Sequence, residues 1–134
     1  MRILIVCSKV FYNRINEYKE ELERMGHTVL LPNCSDAPDT EAKYRGTEEH
    51  ADWKKKMFVQ SIDKINSSDA LLLLNFDKNG QKNYIGGATF LELYEAFKAN
   101  KKIYFVNDIP EGMLKDELIA FKPRIIYDDL SLIK

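Results

Sequence analysis

Residues 69–107 read DALLLLNFDKNGQKNYIGGATFLELYEAFKANKKIYFVN. Apart from Asn75, the run ALLLLNF is continuously apolar rather than alternating, which is the mark of a strand covered on both faces. After the turn-forming DKNG and the pair Gly86-Gly87, the apolar residues Phe90, Leu93 and Phe97 recur at helical spacing, and KKIYFVN then resumes as another apolar strand. A buried strand, a helix and a second buried strand form a parallel crossover unit.

Working outward from this unit, RILIVC at residues 2–7 is a second continuous apolar run and reads as a central parallel strand. Ile15, Tyr18, Leu22 and Met25 follow at helical spacing, MGH supplies a glycine where that helix stops, and TVLLP is the next strand. Residues 33–48, NCSDAPDTEAKYRGTE, have no periodicity and read as a long loop, of the kind that is often functional in a compact domain. From Glu49 to Ser67 a helix carries the stripe Trp53, Met57, Phe58, Ile62 and Ile65. PEGMLKDELIAF, with Pro110 at its start, is expected to be a further helix, and RIIYDD a last short strand.

The alternation of five strands with four helices argues for a flavodoxin-like or Rossmann-like α/β fold, a doubly wound parallel five-stranded sheet forming a single domain over residues 1–134. In such sheets ligands bind outside the carboxyl ends of the strands, so the loops starting at Ser8, Phe76 and Asn107 are where chemistry is expected.

Charge narrows the partners. The 134 residues hold 20 basic and 21 acidic side chains, a balance with no global attraction for a polyanion, so a nucleic-acid polymer is not expected as a partner. No run approaches the roughly 20 apolar residues that span a bilayer, and the opening apolar stretch is too short for a signal peptide; no membrane association and a cytoplasmic location are expected. Cys7 and Cys34 stand in no metal-ligand spacing, and neither a metal nor a cofactor is expected.

Gly86 and Gly87 let backbone approach a ligand and leave N–H groups free at a helix start, an anion- or sugar-binding geometry, although a tight turn uses the same residues. No Gly-Lys-Ser/Thr follows, and the pattern is not GxGxxG, so neither a Walker loop nor a dinucleotide fingerprint is present. Glu92 falls with Ala88, Ala96 and Ala99 on a small-residue face of the helix, apart from the apolar stripe, where a carboxylate has room for a ligand. Favourable interaction with the helix dipole is the competing account of an acid there.

Other candidates for substrate binding each carry two readings. Ser8 and Lys9 can hold a phosphate or sugar hydroxyl, or be solvated loop. Phe11 and Tyr12 can stack on a base or anchor the entry to the first helix. Asn75 and Asp77 can bind ribose hydroxyls or serve the turn. Tyr84 is a further substrate-binding candidate, and if the chemistry needs a proton donor, Asp77, Tyr84 or a residue of the 33–48 loop is the candidate.

Taken together, SSDALLLLNFD, NYIGGATFLELYEAFKANKKIYFVN and the opening ILIVCSKVFYN…ELERMGHTVLLP resemble the nucleoside 2-deoxyribosyltransferase-like superfamily, which includes nucleoside deoxyribosyltransferases and nucleoside 5'-monophosphate N-glycosidases; the resemblance runs over residues 2–106. It implies that Glu92 is a nucleophile attacking the anomeric carbon of a ribose or deoxyribose, with transfer to water or to a second base. It also implies a nucleoside or nucleotide as the small-molecule partner, and a homodimer or larger homo-oligomer. Three positions depart from the family pattern. Ser61 stands where a second acid is usual, Phe90 lies near a usual glycine, and Tyr94 replaces another, so that larger side chains are expected near the site. Asp63 cannot replace the missing acid, because two residues along a helix turn it about 200° away. A non-catalytic nucleotide-binding module on the same fold is the alternative, and a purely structural subunit the third.

Overall fold

The computed structural model describes residues 1–134. Five strands, β1 (Arg2–Cys7), β2 (Thr28–Leu30), β3 (Ala70–Leu74), β4 (Lys102–Phe105) and β5 (Arg124–Ile125), form one sheet in the order β2-β1-β3-β4-β5. Every neighbouring pair is parallel. This is the flavodoxin-like order, with its reversal between β1 and β3. The helices are α1 (Ile15–Arg24), α2 (His50–Asn66), α3 (Gly87–Lys98) and α4 (Lys115–Ala120).

The two central strands are those with the continuous apolar runs, for the reason such runs exist: both of their faces are covered. Ile3, Ile5 and Cys7 of β1 and Ala70, Leu72 and Leu74 of β3 face one layer with Ile15, Tyr18 and Leu22 of α1. Leu4 and Val6, with Leu71 and Leu73, face the other, against Ile65 of α2, Leu93 and Ala96 of α3 and Leu118 of α4. The period of two along each strand assigns the faces.

Helix α1 ends where the glycine stands. Gly26 has φ +94°, and the His27 N–H donates to the Leu22 carbonyl at 3.0 Å, a Schellman closure. The helix expected from Pro110 starts later, at Lys115, because Gly112 takes φ +133° and interrupts any helix before it. β2 and β5 are only three and two residues long, as edge strands often are. Residues 33–48 contain a single 3-10 turn, Glu41–Lys43, and Lys9–Arg14 form another ahead of α1. No helix is long and apolar enough to cross a membrane.

Candidate active site

A cavity of about 390 Å³ opens at the carboxyl ends of β1 and β2, within the range of small-molecule sites. Cys7, Ser8 and Lys9 bring the end of β1 to it, Asn33 and Cys34 the end of β2, Trp53, Met57 and Ser61 one face of α2, and Gly86 to Thr89 with Glu92 the first turns of α3.

Neither Gly86 nor Gly87 has a positive φ, so turn geometry demands no glycine at either position. A Cβ on Gly87 would meet no atom within 4 Å, and one on Gly86 only the Tyr84 ring at ordinary contact distance. Gly86 caps α3 in extended backbone without a side-chain hydrogen bond, so the first-turn N–H groups remain available to the cavity that this turn lines.

Thr89, Leu93 and Ala96 turn toward the sheet and are buried, which leaves Glu92 facing α2 and the cavity. Only Ala88 of the expected alanine face shares the cavity; Ala96 is core and Ala99 is exposed. Glu92 touches solvent through the cavity but is closely surrounded by protein, and this burial raises its carboxyl to about 7, against the pull of the Ser61 hydroxyl and the Lys64 charge. The Lys64 ammonium donates to the Leu31 carbonyl at 2.7 Å, and its own burial lowers its pKa.

Two other reactive groups in the cavity, Cys7 and Glu41, are held out of nucleophilic chemistry. Burial first, and then the charge of Glu92, pushes the Cys7 thiol up to about 12, so the thiolate is scarce. Glu41 would be raised by its partial burial, but hydrogen bonds from His50 and Lys54, with the charges of Lys54 and Arg45, lower it to about 2. His50 Nε2 and Lys54 Nζ both lie 3.0 Å from its carboxylate. This hub ties the loop to α2, and Tyr44 of the loop stacks on Trp53 with ring centroids 5.7 Å apart.

Ser8, Lys9, Tyr84, Gly86, Gly87 and Glu92 all line the cavity. Phe11 does not: it is buried in the core, edge-on to Phe76 at 5.4 Å, and Tyr12 takes the wall instead. Asn75 is fully buried and spends its side chain on the backbone of Asn107 and Asp108, so its amide is unavailable to a ribose. Asp77 is exposed, accepts from the Asn83 N–H at 3.1 Å and pairs with Lys82 in the turn, outside the cavity. Neither Phe90 nor Tyr94 lines the cavity: both pack on Phe121, and Tyr94 also reaches the groove between α2 and α3 that Glu92 and Ser61 share. Sequence reasoning missed Asn33, Trp53 and Met57. The sign was available in α2, where Trp53, Met57 and Ser61 recur every four residues and an apolar stripe ends in a hydroxyl.

A scan against models of protein families finds no match for this chain, and a sequence search of curated proteins finds none. Among solved structures, the chain shares its fold with the 2-deoxyribosyltransferase of the psychrotolerant bacterium Bacillus psychrosaccharolyticus, at 20% identity and a TM-score of 0.56 over 78% of this chain and 71% of that one. The CMP N-glycosidase BcmB of Clostridium botulinum aligns at 17% identity and a TM-score of 0.48 over 78% of this chain and 70% of that one.

Proposed function

We propose that the protein cleaves or transfers the N-glycosidic bond of a nucleoside or nucleoside 5'-monophosphate with Glu92 as nucleophile. The observation that carries this reading is that the cavity is lined by two carboxylates only, and Glu41 is locked by Arg45, Lys54 and the His50 ring while Glu92 is free of any salt bridge. The fold shared with a 2-deoxyribosyltransferase supports it.

In this reading a Glu92 carboxylate oxygen attacks C1', a glycosyl ester bond forms, and the C1'–N bond breaks with its electron pair passing to the base. The negative charge stabilises the oxocarbenium-like transition state. The departing base takes a proton, and water or a second base then attacks C1' and restores the carboxylate. The free N–H groups of the α3 amino end, with Ser8 and Lys9, bind the sugar or its phosphate. Tyr12, whose phenol burial first and negative neighbours next hold protonated, and Tyr84 stand on the wall to meet the base.

One observation favours the second reading, a nucleotide-binding module without turnover. No acid other than Glu92 and the clamped Glu41 lines the cavity, so a leaving base finds no carboxylic acid to protonate it. Incubating the protein with a panel of nucleosides and 5'-monophosphates and resolving free base by chromatography separates the two. Base release that disappears in Glu92→Ala supports the enzyme; binding by thermal shift without any release supports the module.

A further inference from the structure

We propose that Ser61 is the positioning residue of Glu92: its oxygen is held as an acceptor by the Asn33 amide, and its own proton is thereby turned onto the Glu92 carboxylate across the α2–α3 contact. The inference rests on the reading of Glu92 as the reacting group only for its kinetic arm.

The geometry begins with Asn33, just past β2. Its Nδ2 donates to the Met57 carbonyl at 2.9 Å and to Ser61 Oγ at 3.1 Å. A carbonyl only accepts, so the amide nitrogen must face Met57, and both amide hydrogens are then used. This orientation is kept although it leaves Asn33 Oδ1 buried without a partner, a cost that the reverse orientation would exchange for two oxygens face to face.

Ser61 Oγ therefore receives a hydrogen bond and has one proton to place. A helical serine commonly returns that proton to the preceding turn, and Ser67 and Ser68, just past the end of α2, make the same kind of bond, both donating to the Lys64 carbonyl at 3.0 and 2.6 Å. Ser61 makes no such bond: the carbonyl four residues earlier, that of Met57, is the one Asn33 occupies. What Ser61 faces instead is Glu92, its neighbour in the cavity and in the groove between α2 and α3. The hydroxyl favours the ionised form of that carboxylate. Ionising Glu92 strengthens the pair and draws the hydroxyl in.

The charged and titratable groups around Glu92 are Lys64 on α2, Cys7 at the end of β1 and Tyr12 in the turn that follows, while Cys34 and Asp36 of the loop act on Lys64. Among these only Lys64 stabilises the carboxylate, and it is anchored to the Leu31 carbonyl; the other stabilising group is the Ser61 hydroxyl.

The test is a carbon-detected NMR titration of the Glu92 carboxyl, assigned with Glu92→Gln, in the parent and in Ser61→Ala, Ser61→Thr and Asn33→Ala. Ser61→Ala and Asn33→Ala are expected to raise the Glu92 midpoint by about 0.5–1 pH unit, the size of one lost hydrogen bond to the charged form, and Ser61→Thr to restore it. A midpoint in Ser61→Ala within about 0.2 pH unit of the parent overturns the proposal, that being less than any lost charge-assisted bond would give. If Ser61→Ala does not fold, Asn33→Ala, in the loop, decides on the same criterion. Where base release is measurable, the acid limb of its pH profile moves with the NMR midpoint. Absence of release in the parent counts against the catalytic reading alone, because the titration needs no turnover.

Discussion

Asn75 and Asn107, at the carboxyl ends of β3 and β4, bind each other in both directions: the Asn107 N–H donates to Asn75 Oδ1 at 2.8 Å, Asn75 Nδ2 donates to the Asn107 carbonyl at 2.9 Å, and Asn107 Nδ2 donates to the Asn75 carbonyl at 3.0 Å. Sheet hydrogen bonding stops at these residues while the chain is still buried, and the two amides satisfy the backbone groups that the ladder leaves open. The adjoining ends of β3 and β4 are held together as the chain leaves the sheet for the loops.

Asn75→Ala removes the three bonds made by the Asn75 side chain, keeps the one from Asn107 Nδ2 to the residue-75 carbonyl, and leaves the Asn107 N–H and the Asn107 and Asp108 carbonyls without that partner. A loss of about 3 kcal/mol in urea unfolding at pH 7 is expected, since each orphaned group costs about 1–3 kcal/mol. Nucleotide binding per folded molecule should be unchanged. A variant of parental stability that has lost binding would instead return Asn75 to the ligand.

As the proposed nucleophile Glu92 must be ionised to attack, and its carboxyl is raised to about 7 by burial. Base release should therefore climb with pH, with the acid limb of kcat/KM centred near that value and falling about tenfold per pH unit below it. Glu92→Ala or Glu92→Gln should lower release by several orders of magnitude while thermal shift still reports nucleotide binding.

The raised carboxyl also makes stability depend on pH, with a sign opposite to the usual acid case. Because the folded carboxyl titrates above its ordinary value of 4.5, the folded state binds the extra proton between 4.5 and about 7, and stability declines over that window as pH rises. Glu92→Gln escapes the cost of the buried charge. Its stability relative to the parent should be similar near pH 4.5 and rise toward pH 8, by up to about 3 kcal/mol, since a tenfold change in proton affinity corresponds to about 1.4 kcal/mol. Calorimetric melting at pH 5 and pH 8 reads this directly, and a difference that stays flat would show that the carboxyl is not raised.

Gly87→Ala separates folding from ligand approach. The backbone there is helical and a Cβ meets nothing within 4 Å, so the fold should tolerate alanine or gain about 0.4–1 kcal/mol. If the ligand uses the space in front of the α3 amino end, the same methyl group should weaken binding of a nucleoside or 5'-monophosphate at least tenfold by calorimetric titration. Equal affinity would move the ligand away from that turn.

The homo-oligomer that the resemblance implies can be tested on the exposed faces of α2 and α3. Phe58, Val59 and Ile62 on α2 and Leu91 and Tyr94 on α3 are all exposed, and Phe58, Ile62, Leu91 and Tyr94 line a groove between the two helices. Trp53 and Met57, which the apolar stripe assigned to the same face, turn into the cavity. Sedimentation velocity at high micromolar concentration should show a dimer, and Ile62→Glu should shift it to monomer. A monomeric parent would refute the assembly.

Much of the fold was legible because its cause is local. ILIVC and ALLLL, residues 3–7 and 70–74, are apolar at every position, and only strands covered on both faces require that, so the two central strands and the parallel sheet followed from reading residues in order. Gly26 ended α1 by its own conformational freedom. Glu92 and the glycine pair stood out for the same kind of reason, being polar or small at the start of a helix that follows a buried strand. The composition of the cavity wall was not legible. A stripe such as Trp53, Met57 and Ser61 shows only that one side of a helix is turned inward, and whether it meets core or cavity depends on how α2 lies against α3 and the 33–48 loop. Asn75 and Asp77 sat at the expected strand end, yet tertiary hydrogen bonding with Asn107 and local turn contacts with Asn83 consumed both. The periodicity of one segment reports how much of it is buried; the identity of what buries it, and hence the burial that raises Glu92, is a property of segments far apart in the chain that only their packing brings together.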